Sequence, residues 1–440
     1  MWSDRDGLVT PSGCTGSMNQ DLAGKSLAIE ITRITRYEIK GDAMKKTGAG
    51  CLLLFAALIQ GCSFMPTAQS GSSASSAPPP AASAPPPAPP APPPAAPVHA
   101  APPPVSSAPA ASTGYNIVRV FFATDRNFTG SAKPSDMFGV RRAALSYGSS
   151  AVSIPRDHRM GELESPSVWR LEFRAAPEKH VVLLNTVIQP KDEFFSNVAK
   201  QVRASSQSSA FLFVHGYNVT FADAARRTAQ MSYDLGFDGA PVFYSWPSRG
   251  KTAAYTLDEQ NIEWTQKNLK NFLADFFARS DAKNVYVIAH SMGNRAVTRA
   301  VASLLTEQPT LRPRLKEIIL TAPDIDADVF KEEIAPALTA TGRPITLYAS
   351  AGDRALLASK KVHGYPRAGD AGTGLVVVPG IETIDATGMD TSLLGHSYFA
   401  ETRSVLSDVF YLIRNGQRAD QRFGLQSKET QAGRYWLFKK

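Results

Sequence analysis

Residues 284–305, NVYVIAHSMGNRAVTRAVASLL, can adopt few conformations. Residues 284–289 are a short apolar run rich in Val and Ile, the pattern of a strand buried on both faces. From Met292 onward Ala296, Val297, Ala300, Val301, Leu304 and Leu305 recur at helical spacing. Between the two stands Ala289-His290-Ser291-Met292-Gly293. A strand that turns at once into a helix brings two backbones close together, which favours small residues two before and two after the turn. The middle residue is forced into strained backbone, with its side chain clear of the sheet. The first N–H groups of the new helix, and its positive dipole end, then face an anion forming beside Ser291.

The surrounding sequence repeats this strand, turn and helix. Residues 210–214 read as a strand ending in His215-Gly216-Tyr217-Asn218, followed by a helix over 220–235. A strand over 241–246 precedes a long helix over 258–279. After the 284–305 unit come strands at 318–321 and 345–350, entering Ala322-Pro323-Asp324-Ile325-Asp326 and Ala351-Gly352-Asp353. The last strand is either 375–378 or 381–386, and a helix over 399–414 follows it. This alternation predicts a mostly parallel, doubly wound α/β sheet with ligands at the carboxyl ends of its strands. Residues 115–190 read instead as strands (YNIVRVFFAT, ALSYGSSAVSI, WRLEFRAA and HVVLLNTVI), an antiparallel β extension placed within 115–208. A helix over 191–204 completes that extension. The core then spans 209–415, and 416–440 is expected to be a C-terminal tail.

The N-terminal region has a different composition. Met44-Lys45-Lys46, an apolar stretch over 48–59 and Ile59-Gln60-Gly61-Cys62 form a secretory signal, too short to span a membrane as a mature helix. Its end resembles the bacterial lipobox, which implies that Cys62 carries a lipid and that Ser63 directs the protein to the outer membrane. On this reading residues 1–43 precede the true start at Met44, and the catalytic body is periplasmic. Residues 63–114 hold 17 of the chain's 32 prolines and no Lys, Arg, Asp or Glu. Such a tether favours extended polyproline II and could reach on the order of 150 Å. The three cysteines, Cys14, Cys51 and Cys62, leave the body beyond Cys62 without thiol or disulfide chemistry. The net charge of +8 comes without a dense Lys/Arg run, so no nucleic-acid partner is expected.

A serine nucleophile needs a base, an acid to orient that base, and donors for the oxyanion. Where Ser is followed in chain order by the acid and then His, only His363 and His396 can serve as base. His396 follows the last strand and is preferred to His363. Asp353 follows the second strand after the Ser and is preferred to Asp324, which with Asp326 reads as helix capping. The oxyanion donors are the N–H of Met292 and that of Tyr217, with Asn218 as the alternative, and Gly216 lets their loop turn tightly. His215 and His290 read as structural. Ser248-Arg249-Gly250-Lys251-Thr252 fails as a phosphate-binding loop because Ser245 stands where Gly is required. No metal or organic cofactor is required.

FLFVHGYNVTF, FYSWPS, VIAHSMGNRA, TAPDID and LLGHSYF resemble the bacterial α/β-hydrolase family DUF900, over roughly residues 118–413. The resemblance implies an α/β-hydrolase fold with Ser291, Asp353 and His396 as triad. The expected activity is cleavage of a small-molecule or lipid carboxylic ester. Thioester or amide cleavage, or non-catalytic binding in the cell envelope, are the alternatives.

Overall fold

A computed structural model of the chain describes residues 114–167, 172, 174–372, 374–389 and 405–439. The signal, Cys62, residues 63–113 of the tether and His396 lie outside the described residues. Eleven strands form one sheet in the order β10-β11-β9-β8-β7-β6-β4-β5-β1-β2-β3. At one edge β1 (Tyr115–Phe128), β2 (Phe138–Pro155) and β3 (Val182–Gln189) pair antiparallel. β1 then joins β5 (Ala240–Ser245) in parallel. Next come β4 (Ser209–Val214), β6 (Asn284–His290), β7 (Leu315–Thr321), β8 (Ile345–Ala349) and β9 (Glu382–Asp385), each parallel to its neighbour.

The chain winds outward from β4 to β5 and then crosses to β6 on the other side. The carboxyl ends of β4 and β6 therefore flank the point where the winding direction reverses, which is where open α/β sheets leave a crevice for ligands.

Alternate residues of β4 feed two separate cores. Leu212 and Val214 face helices α1 (Lys191–Ala204), α3 (Tyr255–Arg279) and α4 (Gly293–Glu307), while Phe211 and Phe213 face α2 (Phe221–Asp234) and α6 (Val405–Asn415). Burying each such Leu, Val or Phe contributes roughly 1.5–3 kcal/mol, so a strand apolar on both faces is held centrally between helix layers. Thr220 caps α2 reciprocally with Asp223, which fixes where the loop after β4 ends.

Three expectations change. The segment WRLEFRAA lies partly outside the described residues, and its described members, Glu172 and residues 174–176, belong to no strand. Residues 354–363, given no element in the sequence reading, form α5 (Arg354–His363), with Asp353 Oδ1 accepting from the N–H of Leu356 at 3.0 Å. Residues 416–440 are no tail: β11 (Gly433–Phe438) pairs parallel with β9, and β10 (Leu425–Thr430) pairs antiparallel with β11. Arg422, fully buried, donates to Asp408 Oδ2 at 2.6 Å and Glu382 Oε2 at 3.2 Å, and Arg418 to Glu317 Oε2 at 2.6 Å. These charge-assisted pairs anchor the segment just before the hairpin, while Leu425 and Phe438 pack into the core; β10 is otherwise exposed and polar, so hydrophobic patterning gave no sign of it. Of the two segments considered for the last core strand, the second holds β9.

Candidate active site

Ser291 follows β6 at once and has φ +50°, the left-handed strain expected of a side chain standing at a strand-to-helix turn. Its N–H donates to the carbonyl of Thr321 at 3.0 Å, and its carbonyl accepts from Asn294 N–H at 3.1 Å and Asp324 N–H at 3.2 Å. The backbone is therefore gripped on both sides of the strained residue.

Two glycines interlock this turn with the loop after β4. A Cβ on Gly293 would stand 2.4 Å from the His215 carbonyl oxygen, and one on Gly216 would stand 2.8 Å from Ser291 Cβ. Neither glycine has positive φ. Gly216 is thus required for close approach rather than for a tight turn, the reason first inferred from its sequence. Tyr217 follows directly, half-buried and edge-on to Tyr255 at 5.3 Å. Among the described residues no backbone or side-chain acceptor takes the N–H of Met292 or of Tyr217. The N–H of Asn218 points to Asp258 Oδ2 at 3.4 Å, so of the two only the Tyr217 N–H is left unclaimed by the described residues.

His215 is fully buried and stacked on Trp246 at 5.1 Å. Burial and then the neighbouring Arg126 guanidinium hold its imidazole well below the usual histidine range, so it stays neutral. Its Nδ1 lies 2.8 Å from the Gly216 carbonyl and its Nε2 3.1 Å from Ser245 Oγ. His290 is likewise pushed down to about 4 by burial, against the opposing pull of Asp353.

The acidic residues separate cleanly. Asp353 follows β8 and is half-buried, with its charge acting on His290 beside the serine. Asp324 is buried and its oxygens are committed: it accepts from Tyr255 Oη at 2.5 Å and Ser359 Oγ at 2.6 Å. Arg295 Nη2 and Arg367 Nε each stand 3.4 Å from it. It is a structural anchor, not the cap expected. Asp326 does cap, accepting from the N–H groups of Asp328 and Val329. His363, the alternative base, is engaged by Glu259 Oε1 at 2.8 Å and the Ser359 carbonyl at 2.8 Å. The contact with Glu259 ties α5 to α3.

Arg126 on β1, not singled out from the sequence, lies among these residues. It is fully buried, and burial lowers its pKa to about 10. It donates to Ser245 Oγ at 2.8 Å, the Ser248 carbonyl at 2.8 Å and the Val219 carbonyl at 2.7 Å. The signal was present in FFATDR, two charged residues directly following an apolar strand run. Among the described residues no group of three His, Cys, Asp or Glu could hold a metal ion.

The comparison with curated proteins gives no match. Among solved structures, the chain aligns with a CIB-like hydrolase from Thermoplasma acidophilum at 16% identity, covering 48% of this chain and 88% of that one, with TM-score 0.29. It aligns with fungal esterases from Rhizomucor miehei at 10% identity, 68% and 84% coverage and TM-score 0.27. It also aligns with the phospholipase PlaB of Legionella pneumophila at 12%, 52% and 68%, with TM-score 0.29. A family model described as an alpha/beta hydrolase of unknown function, DUF900, matches residues 190–415, just over half of the chain. With the mostly parallel sheet and the serine turn after β6, the chain belongs to the DUF900 family of α/β-hydrolases.

Proposed function

We propose that this hydrolase cleaves a carboxylic ester through a covalent acyl-enzyme on Ser291. The observation that carries the reading is the pair of N–H groups, Met292 and Tyr217, that no described residue claims, on the two segments that meet at the strained serine. In this mechanism Ser291 Oγ attacks the ester carbonyl carbon while His396 takes the hydroxyl proton. The developing oxyanion accepts from the two N–H groups, the strongest stabilisation such a site offers. His396 returns the proton to the leaving alcohol as the C–O bond breaks, and water then hydrolyses the acyl-serine by the same steps. Asp353 orients His396 and favours its protonated form. The same groups would serve a thioester or an amide, so the substrate panel must include both.

Hydrolysis of p-nitrophenyl esters of increasing acyl length tests the reading, with Ser291→Ala beside the native protein. Activity lost in the variant, together with fluorophosphonate labelling of the native serine alone, is the expected result. Equal rates in both proteins would refute it.

The envelope location is proposed on the signal-like sequence ending at Cys62. Incorporation of a palmitate analogue should vanish in Cys62→Ala, and equal incorporation would rule out lipid anchoring at this cysteine.

A further inference from the structure

Arg126 lies on β1, outside the segment that the family model matches. β1 runs parallel to β5 with Thr124 opposite Ser245, so Arg126 reaches the carboxyl edge of the sheet, where Ser291 also stands. There its guanidinium ties together two loops: the one after β4, at the Val219 carbonyl, and the corner after β5, at Ser245 Oγ and the Ser248 carbonyl.

The contacts also run in a line toward the serine. A carbonyl can only accept, so His215 Nδ1 carries the proton that bonds the Gly216 oxygen at 2.8 Å. A neutral imidazole then has Nε2 as acceptor, and it receives the Ser245 hydroxyl proton at 3.1 Å. Ser245 Oγ in turn accepts from Arg126 Nε at 2.8 Å. The Gly216 carbonyl and the Tyr217 N–H belong to one planar trans peptide and point in opposite directions. Fixing that carbonyl therefore aims that N–H.

We infer that Arg126 is a positioning residue for the oxyanion donor, acting through Ser245 and His215 to hold the peptide plane that carries the Tyr217 N–H. This rests on the serine-hydrolase reading above. The donor set is then assembled by two parts of the chain: the family segment supplies the N–H, and the N-terminal extension supplies its aim.

Ser245→Ala removes the middle of the line with little change of volume, leaving only the 3.5 Å approach of Arg126 Nη2 to His215 Nε2, and Arg126→Lys keeps the charge but loses the fork. Removing an oxyanion donor outright costs about 10²–10³ in kcat, so misaiming one should cost roughly 10-fold or more. The expected result in the full-length protein is a kcat fall of about that size for a p-nitrophenyl ester, with KM within about twofold of the native value. The native preference for an ester over its thionoester should shrink as well, because a thiocarbonyl sulfur draws little from N–H donors. Ser245→Ala carries the test if Arg126→Lys fails to fold. Native kcat and native thionoester preference in Ser245→Ala would overturn the positioning role while leaving the hydrolase standing. A native protein that neither hydrolyses esters nor reacts with fluorophosphonate would remove the hydrolase reading, and the inference with it.

Discussion

Two aspartates near the serine carry opposite expectations. Asp353→Asn should lower kcat by roughly 10³–10⁴, the usual consequence of losing the orienting carboxylate, with little change in melting temperature. Asp324→Asn breaks a buried cluster of two hydroxyls and two arginines. It should cost stability, on the order of 3–5 kcal/mol as for broken buried pairs, while the surviving folded protein keeps its kcat. Thermal melts and kcat measured on both variants separate the two roles, and a reversed pattern would exchange the assignments. Chain order alone could propose Asp353 and Asp324 as alternatives. It could not show that Asp324 is saturated, because Tyr255, Ser359 and Arg367 reach it from segments distant in sequence. Ser291 was legible because its strained turn is local, whereas FFATDR marks Arg126 only as a charge beside an apolar strand, its partners lying roughly 90 to 120 positions away.

Elements built on periodic apolar residues follow the sequence closely. α1 spans the residues expected, and β4 and α2 agree within a residue or two. Elements anchored at their start by charge or by capping were missed, as with α5 and the β10–β11 hairpin. Where β4 and α4 meet, Gly293→Ala should abolish fluorophosphonate labelling, since its Cβ would meet a backbone carbonyl that has no rotamer to move. Beyond the site, His158 pins residues 158–164 to α2, with Glu164 Oε1 at 2.9 Å and Asp234 Oδ1 at 2.8 Å. Its pKa rises to about 9 because the hydrogen bonds and charges of Asp234 and Glu164 outweigh the opposing cost of burial. A raised histidine pKa stabilises the fold fully below about 6.5 and ceases to do so as pH climbs through 9. His158→Gln should therefore melt several degrees below the native protein at pH 6, with the gap closing by pH 10. A gap independent of pH would show that shape, not charge, matters there.

The whole molecule is larger than its family segment. Five of the eleven strands lie outside residues 190–415, and both flanks send arginines inward. A protein trimmed to 190–415 would leave Glu317, Glu382 and Asp408 without Arg418 and Arg422, and Ser245 without Arg126. Uncompensated buried carboxylates are costly, so the trimmed protein should be insoluble or show no cooperative melt. A soluble, cooperatively melting product would show that the flanks are dispensable.

β1 enters the sheet six residues before its first pairing with β5 and runs toward the edge that carries Ser291. Its first residue, Tyr115, therefore stands at the opposite pole from the serine. A bead, affinity handle or surface joined directly at Tyr115 would grip this body from behind. The reactive edge then faces outward, so immobilisation through that end is the orientation in which turnover should survive intact.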